Sequence, residues 1–182
     1  MSKLPALLLA TWLFTGPATA GDIYGRVIGV SDGDTISVLD DQRQVHKIRL
    51  AGIDAPEKAQ AFGQKSKAGL SATVFNREVE VVGSKRDRYG RIVAKVLVAE
   101  TTCTLPGCPR VNDAGLLQVR AGLAWWYRAY AREQMPEDRV RYEAAETEAR
   151  QQRMGLWQDK DPTPPWDWRR QPRPATRTMT GA

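Results

Sequence analysis

The sequence predicts an α+β fold that is mainly β: a small five-stranded Greek-key barrel carrying about three helices. Three segments early in the chain have strand composition and are joined by short polar turns. A helical pattern follows the third segment, and two further alternating segments follow that helix. Five short strands with a helix inserted after the third are typical of a small closed barrel.

The five strands are predicted at residues 24–30, 35–39, 45–53, 78–83 and 91–98. Each of the first three reverses direction, so the first and third run the same way and end at the same edge of the sheet. In the third strand, Ile48 and Leu50 alternate with Arg49. Arg49 is therefore predicted to point away from the core.

Three helices are predicted from apolar spacing and end signals. The first covers residues 66–76, the second begins at the N-cap Asn112 and ends at Gly122, and the third runs from Pro136 to Gly155. The third is expected to bury Tyr142, Ala145 and Ala149. Leu156 and Trp157 are expected to fold back onto the core, and residues 100–111 are expected to be irregular.

The two ends of the chain differ in composition from the predicted domain at 21–160. Residues 1–20 combine an early Lys3, a short apolar run and a final Ala-Thr-Ala, which predicts a secretory signal cleaved after Ala20. A retained membrane anchor is the alternative, but the apolar run is short for a span. We therefore expect a periplasmic or secreted protein. Residues 161–182, rich in Pro, Trp and Arg, are expected to form an extended arm, disordered after about Gln171.

Cys103 and Cys108 are the two cysteines of the chain. Export would place them in an oxidising compartment, and the intervening Pro-Gly supplies a turn, so a disulfide is predicted. A zinc site is disfavoured because two thiols without further Cys or spaced His ligands do not complete one.

Charge and histidine content narrow the possible functions. The net charge of +6 suits polyanionic partners, although solubility or loose envelope association would also explain it. The chain has one histidine, His46, in a predicted strand. Catalysis by a histidine pair or a Ser-His-Asp triad is therefore disfavoured. We expect His46 to be a surface strand residue.

Two acidic residues follow strands that end at the same edge. Asp34 comes after the first strand and Asp54 after the third. Two strand spacings separate them by about 9–10 Å in a flat sheet, and curling would shorten that distance. Their carboxylates could therefore share one hard cation.

Three motifs in this order resemble the signatures of the thermonuclease (staphylococcal nuclease-like) family. They are Asp-Gly-Asp-Thr at 32–35, Arg-Leu-Ala-Gly-Ile-Asp-Ala-Pro-Glu at 49–57 and Asp-Arg-Tyr-Gly-Arg at 87–91. The resemblance spans about residues 24–157, and three spaced motifs are far more specific than any one of them. It implies an OB-fold barrel.

The resemblance also implies roles for residues at the matching positions. Calcium would be held by Asp34, Asp54 and the main-chain carbonyl of Ala55; Glu57 would be the general base; and Arg49 and Arg91 would bind the phosphate. Simpler readings stay open: Arg49 as an ordinary outward strand arginine, and Arg91 as a surface partner of Asp87. Asp32 either orients the site or caps its turn.

Aromatic residues accompany these motifs. Tyr89 lies in the arginine-bearing turn, and Tyr127 and Tyr130 are expected on the opposite lip, where they could stack unpaired bases. Such stacking favours single strands with little base specificity. For Trp125 and Trp126 the alternative is a core position, expected for at least one of them.

Together with the predicted signal, the resemblance implies an exported, monomeric, calcium-dependent endonuclease. By resemblance it would cleave both DNA and RNA and leave 3′-phosphates. One alternative is a noncatalytic nucleic-acid-binding barrel of the cell envelope. Another is an exported interaction domain that binds calcium only for stability.

Overall fold

The computed structural model describes residues 22–100, 102–103 and 107–172. The predicted signal, residues 1–20, and the part of the predicted disordered tail from residue 173 onward lie outside the described residues. Of the helices in the described ranges, none has the length and apolar character needed to cross a membrane.

Eight strands occur in the described part of the chain. They are β1 (Ile23–Val30), β2 (Thr35–Asp40), β3 (Val45–Leu50), β4 (Ile53–Asp54), β5 (Glu78–Arg86), β6 (Ile92–Ala99), β7 (Arg110–Asp113) and β8 (Trp125–Trp126). The order β3-β2-β1-β5-β6 is antiparallel throughout, and a parallel pairing of β3 with β6 closes the barrel. The predicted five-stranded OB-fold barrel is confirmed.

The helices surround this barrel. They are α1 (Gly63–Val74), α2 (Ala114–Arg120), α3 (Pro136–Gln151) and the short α4 (Pro165–Trp168), with 3-10 helices at Arg128–Glu133 and Gly155–Gln158. The first three correspond to the predicted helices. The N-cap of α2 is Asp113 rather than Asn112, because the Asp113 carboxylate accepts hydrogen bonds from the amides of Gly115 and Leu116.

Strand alternation explains the core. One side of each barrel strand is apolar and fully buried, as in Val27, Ile36, Val38, Ile48 and Val96. A second cluster joins Trp125, Ala149, Leu156 and Trp157, so the return of Leu156 and Trp157 to the core is confirmed. Trp125 and Trp126 are both buried, which agrees with the expectation for at least one.

The predicted third strand, residues 45–53, is wrong in extent. It divides into β3 and β4 because Gly52 has a φ of 76°, which interrupts the extended backbone. A Cβ at Gly52 would also lie 2.2 Å from the side-chain nitrogen of Gln134, so a larger residue would displace the end of that side chain. The break redirects β4 to pair with β8.

Two other segments differ from expectation. The end of the predicted irregular segment 100–111 belongs to β7, which pairs with the free edge of β6. The arm is not extended throughout, because Pro165 begins the helical turn α4.

The disulfide between Cys103 and Cys108 is confirmed. His46 lies in β3 and pairs with Asp40, Nε2 to Oδ2 at 2.6 Å.

A buried hydrogen bond joins α3 to the start of α2. The Tyr142 hydroxyl donates to Asp113 Oδ2 over 2.8 Å. Burial, reinforced by the Asp113 carboxylate, raises the pKa of Tyr142 well above its ordinary value of 10.0. Above about pH 10 the unfolded chain loses this proton while the folded chain keeps it, so the free energy of unfolding falls as the pH rises.

We expect Tyr142→Phe to lower the free energy of unfolding by about 1–3 kcal/mol at neutral pH, since a buried acceptor loses one donor. The loss of stability between about pH 8 and pH 11 should be smaller in the variant, because the group that titrates is gone. Urea unfolding at both pH values measures this, with the half-exposed Tyr130→Phe as control. Identical alkaline losses in Tyr142→Phe and the wild type would contradict the argument.

Candidate active site

One cleft of about 1200 Å³ collects every residue that the motifs predicted for the site. Its walls include Asp34, Arg49, Asp54, Ala55, Glu57, Tyr89, Arg91, Tyr127 and Tyr130. These positions span much of the chain, and barrel closure brings them together. The structure thus establishes their proximity.

Strand register places the charged residues at one end of the barrel. Asp34 immediately precedes β2, and its neighbour Thr35 pairs with Arg49 on β3. Arg91 immediately precedes β6, which runs parallel to β3. Asp54 lies on β4, just after the break at Gly52. The motifs therefore converge because they lie at neighbouring strand ends.

Arg49 is bound on several sides and is not an ordinary outward arginine. Its Nη2 lies 3.0 Å from Asp54 Oδ1 and 3.4 Å from Asp34 Oδ2. Its Nη1 donates to the main-chain oxygen of Ile53 over 3.0 Å. Only 15% of the side chain is exposed. One guanidinium thus contacts both carboxylates, offsets part of their charge and holds β4 against β3.

The two carboxylates lie in a desolvated setting. Burial raises the pKa of Asp54, and hydrogen bonding to Arg169 together with the charge of Arg49 opposes that rise. Asp34 accepts hydrogen bonds from the Thr35 hydroxyl at 2.8 Å and from the amide of Ala55 at 3.2 Å. These bonds tie the Asp34 turn to the strand that carries Asp54.

Asp32 caps its own turn. Its Oδ1 accepts a hydrogen bond from the amide of Asp34 over 3.1 Å. Burial raises the pKa of Asp32, and the neighbouring Asp34 carboxylate adds to the effect. Of the two possibilities left open by the sequence, the structure shows the capping contact.

Arg91 pairs with Asp87, which was the simpler interpretation of the sequence. Both residues nevertheless line the cleft. Arg91 Nε donates to Asp87 Oδ2 over 2.8 Å, and Nη1 donates to the Thr35 hydroxyl over 3.1 Å. Although burial opposes it, hydrogen bonding from Arg91 lowers the pKa of Asp87. Asp87 therefore orients the guanidinium, a quarter of whose side chain stays exposed.

Glu57 is half exposed and has a partner that the motifs did not predict. Its Oε1 accepts a hydrogen bond from Arg169 Nη1 over 2.8 Å, and Arg169 Nη2 lies 2.6 Å from Asp54 Oδ2. The Arg-rich composition near residue 169 was the only signal in the sequence. Nothing in the spacing of residues so far apart along the chain indicated that this arginine enters the cleft.

The predicted aromatic residues lie on the rim. Tyr89 is 68% exposed and contacts the Arg91 guanidinium with its ring. Tyr127 and Tyr130 pack together with ring centroids 5.1 Å apart. Tyr127 also stacks on Trp166 at 5.4 Å with an interplanar angle of 11°. Tyr89 and Tyr130 are thus the more accessible surfaces for a base.

The donor atoms suit a hard cation. Within the described ranges no three Asp, Glu, His or Cys side chains form a ready metal-binding group. Asp34 and Asp54 nevertheless share one cationic nitrogen of Arg49, which shows that both carboxylates can face a single positive charge. Carboxylate and main-chain oxygens are the ligands that calcium prefers. Asp34, Asp54 and the carbonyl of Ala55 therefore fit calcium chemically.

A small closed barrel with paired carboxylates and forked arginines in one basic-rimmed cleft defines a protein class that acts on phosphate esters. The family model described as "Staphylococcal nuclease homologue" matches residues 47–159. The chain belongs to this family.

Two bacterial relatives agree with this assignment over nearly their whole length, and a plant relative agrees over less than half of its own length. A protein named "Uncharacterized endonuclease" from Escherichia coli is 42% identical over 161 residues, covering 88% of this chain and 94% of the relative. A "Micrococcal nuclease" from Shigella flexneri is 39% identical over 177 residues, covering 97% of each. "Staphylococcal-like nuclease CAN1" from Arabidopsis thaliana is 34% identical over 157 residues, covering 85% of this chain and 43% of the relative.

Proposed function

We propose that this protein is a calcium-dependent endonuclease that hydrolyses phosphodiester bonds in both DNA and RNA. The observation that carries the proposal is the shared cleft in which two buried carboxylates face two arginine forks and Glu57. The family assignment and the nuclease names of the relatives support the reaction class.

In this proposal Glu57 takes the proton from the attacking water as its oxygen bonds to phosphorus. The bond from phosphorus to the 5′-oxygen breaks and that oxygen takes up a proton from solvent, which leaves a 3′-phosphate and a 5′-hydroxyl. Arg49 and Arg91 donate hydrogen bonds to the phosphate oxygens as negative charge builds up on them. Calcium bound at Asp34, Asp54 and the Ala55 carbonyl would polarise the phosphate.

The surroundings of the cleft support a single-stranded substrate. Tyr89 and Tyr130 expose their rings beside arginine and lysine side chains. A ring can stack on any base, so this arrangement favours unpaired strands and discriminates little between sequences or sugars. The net charge of +6 would strengthen binding at low salt. We also propose that the enzyme is exported, because a secretory signal is predicted, and that it is a monomer.

The calcium site is tested by removing both carboxylates. The double variant Asp34→Ala/Asp54→Ala should lose about 100-fold or more of its activity on heat-denatured DNA, and EGTA should silence the wild type. The matched control replaces the exposed Asp22 and Asp41 by alanine. Digestion products resolved on a gel, with thermal melting of each variant, are the measurements.

Two outcomes would contradict the proposal. Undiminished digestion by Asp34→Ala/Asp54→Ala would remove these carboxylates from the reaction. DNA binding by the wild type without cleavage, in calcium, would instead identify a noncatalytic nucleic-acid-binding module.

A further inference from the structure

Residues 163–171 of the C-terminal arm bring a further arginine into the cleft, beside Arg49, Arg88 and Arg91. Arg169 binds Asp54 with both ends of its fork: Nη1 lies 3.2 Å from Oδ1 and Nη2 lies 2.6 Å from Oδ2. The same Nη1 lies 2.8 Å from Glu57 Oε1. Charge-assisted bonds in this geometry are among the stronger polar contacts in proteins.

The arm is held in place by contacts outside the cleft. Gln60 donates a hydrogen bond to the carbonyl of Thr163 over 2.6 Å. Trp166 stacks on Tyr127 and meets the ring of Trp125 edge-on, at a centroid distance of 5.7 Å. Because these contacts anchor the arm independently, the Arg169 side chain can leave the carboxylates without the arm detaching.

Arg169 and a divalent cation would compete for the carboxylate of Asp54. Both carboxylate oxygens of Asp54 accept from guanidinium groups, Oδ1 from Arg49 and Arg169 and Oδ2 from Arg169. A divalent cation that uses Asp54 needs these same oxygens. The Arg169 side chain is 43% exposed, whereas that of Arg49 is 15% exposed. Arg169 is therefore the partner that can withdraw into solvent.

We propose that Arg169 is an internal cation that occupies Asp54 and Glu57 until a divalent cation displaces it. The inference rests on the proposed calcium site and adds a regulatory step to it. Without the cation, Arg169 occupies Glu57 Oε1 by a hydrogen bond, so that oxygen is not available to an attacking water. Binding of the cation frees Glu57 at the same moment that it completes the site.

The coupling between Arg169 and the cation must be reciprocal. If Arg169 weakens cation binding by some factor, then the cation weakens the hold of Arg169 on Asp54 by the same factor. Arg169→Ala should therefore bind Ca²⁺ about 5- to 10-fold more tightly than the wild type, at the lower end of typical couplings because the pair is partly exposed. Isothermal titration calorimetry of the full mature chain with CaCl₂ measures the Ca²⁺ affinity directly, without any substrate.

Arg170→Ala is the matched control. Arg170 is the next residue of the arm, pairs with Asp167 and has an 80% exposed side chain, so its removal takes away the same charge without touching Asp54. Thermal melting gives a second readout. In EGTA, Arg169→Ala should melt below Arg170→Ala, and in saturating Ca²⁺ the difference should disappear because the wild-type pair is already broken there.

The outcomes separate this inference from the function on which it rests. Equal Ca²⁺ affinity in Arg169→Ala, Arg170→Ala and the wild type would overturn the displacement and leave the calcium-dependent nuclease standing. Weaker binding by Arg169→Ala would also overturn it. Absence of Ca²⁺ binding in all three proteins would refute both the displacement and the proposed calcium site.

Discussion

Glu57→Gln is expected to lower kcat on heat-denatured DNA by about 10²- to 10⁴-fold, the usual contribution of a general base. Glutamine preserves the size and a hydrogen-bond acceptor but cannot take the proton from water at neutral pH. The main-chain amide of Glu57 donates a hydrogen bond to the side-chain oxygen of Gln60 over 3.0 Å. The Glu57 carboxylate does not take part in this contact. The local fold should therefore survive, and KM should change little.

The matched control is Glu133→Gln, which also lines the cleft and pairs with Lys85 at 2.6 Å. It removes the same charge from the same cleft, so its kcat should stay within a few-fold of the wild type. Steady-state kinetics on one defined oligonucleotide, in saturating calcium, compares the two. A loss of less than about tenfold in Glu57→Gln would make Glu57 a residue that orients water and not a base.

Arg49→Lys is expected to lower kcat/KM by about 10²- to 10³-fold, a loss comparable to removing an oxyanion donor. The positive charge remains, but the planar fork does not. In the structure that fork donates to the carbonyl of Ile53 and to Asp54 at the same time. A lysine ammonium has no such rigid two-sided geometry, and it cannot grip two phosphate oxygens in parallel.

Arg26→Lys serves as the control, because Arg26 is an exposed strand arginine that pairs with Glu78 on β5 at 3.0 Å. Melting temperatures of both variants must accompany the kinetics, since Arg49 also ties β4 to β3. If Arg49→Lys retains normal kcat/KM at an unchanged melting temperature, the guanidinium is a structural link only. A lowered melting temperature with normal activity at low temperature would lead to the same conclusion.

Much of the barrel could be predicted because strand alternation and helix end signals depend on residues that are close together in the sequence. The alternation around Arg49 placed its side chain away from the core, and the helix signals located α1, α2 and α3 to within a few residues. The disulfide, and the burial of at least one of Trp125 and Trp126, were also predicted from nearby residues. Each of these predictions needed only residues that are near one another in the chain.

The sequence-based predictions were wrong where the structure of a segment depends on a partner that is distant in the chain. β7 is a strand because β6 leaves an edge on which it can pair, and β4 is separate because Gly52 turns it toward β8. Likewise, the Asp113 carboxylate that caps α2 also accepts a hydrogen bond from Tyr142 of α3. Local propensity cannot anticipate these choices, since the deciding atoms belong to other elements.

By itself, the sequence determined the resemblance to the family, the approximate positions of the five barrel strands and the site residues carried by the three motifs. Only the tertiary structure decided their partners: which groups Arg49 and Arg91 contact, that Trp166 covers Tyr127, and that Arg169 reaches Asp54 and Glu57. The reason is physical. Periodicity and turn chemistry act over a few residues, whereas an ion pair between residues 115 positions apart depends on the whole path of the chain between them.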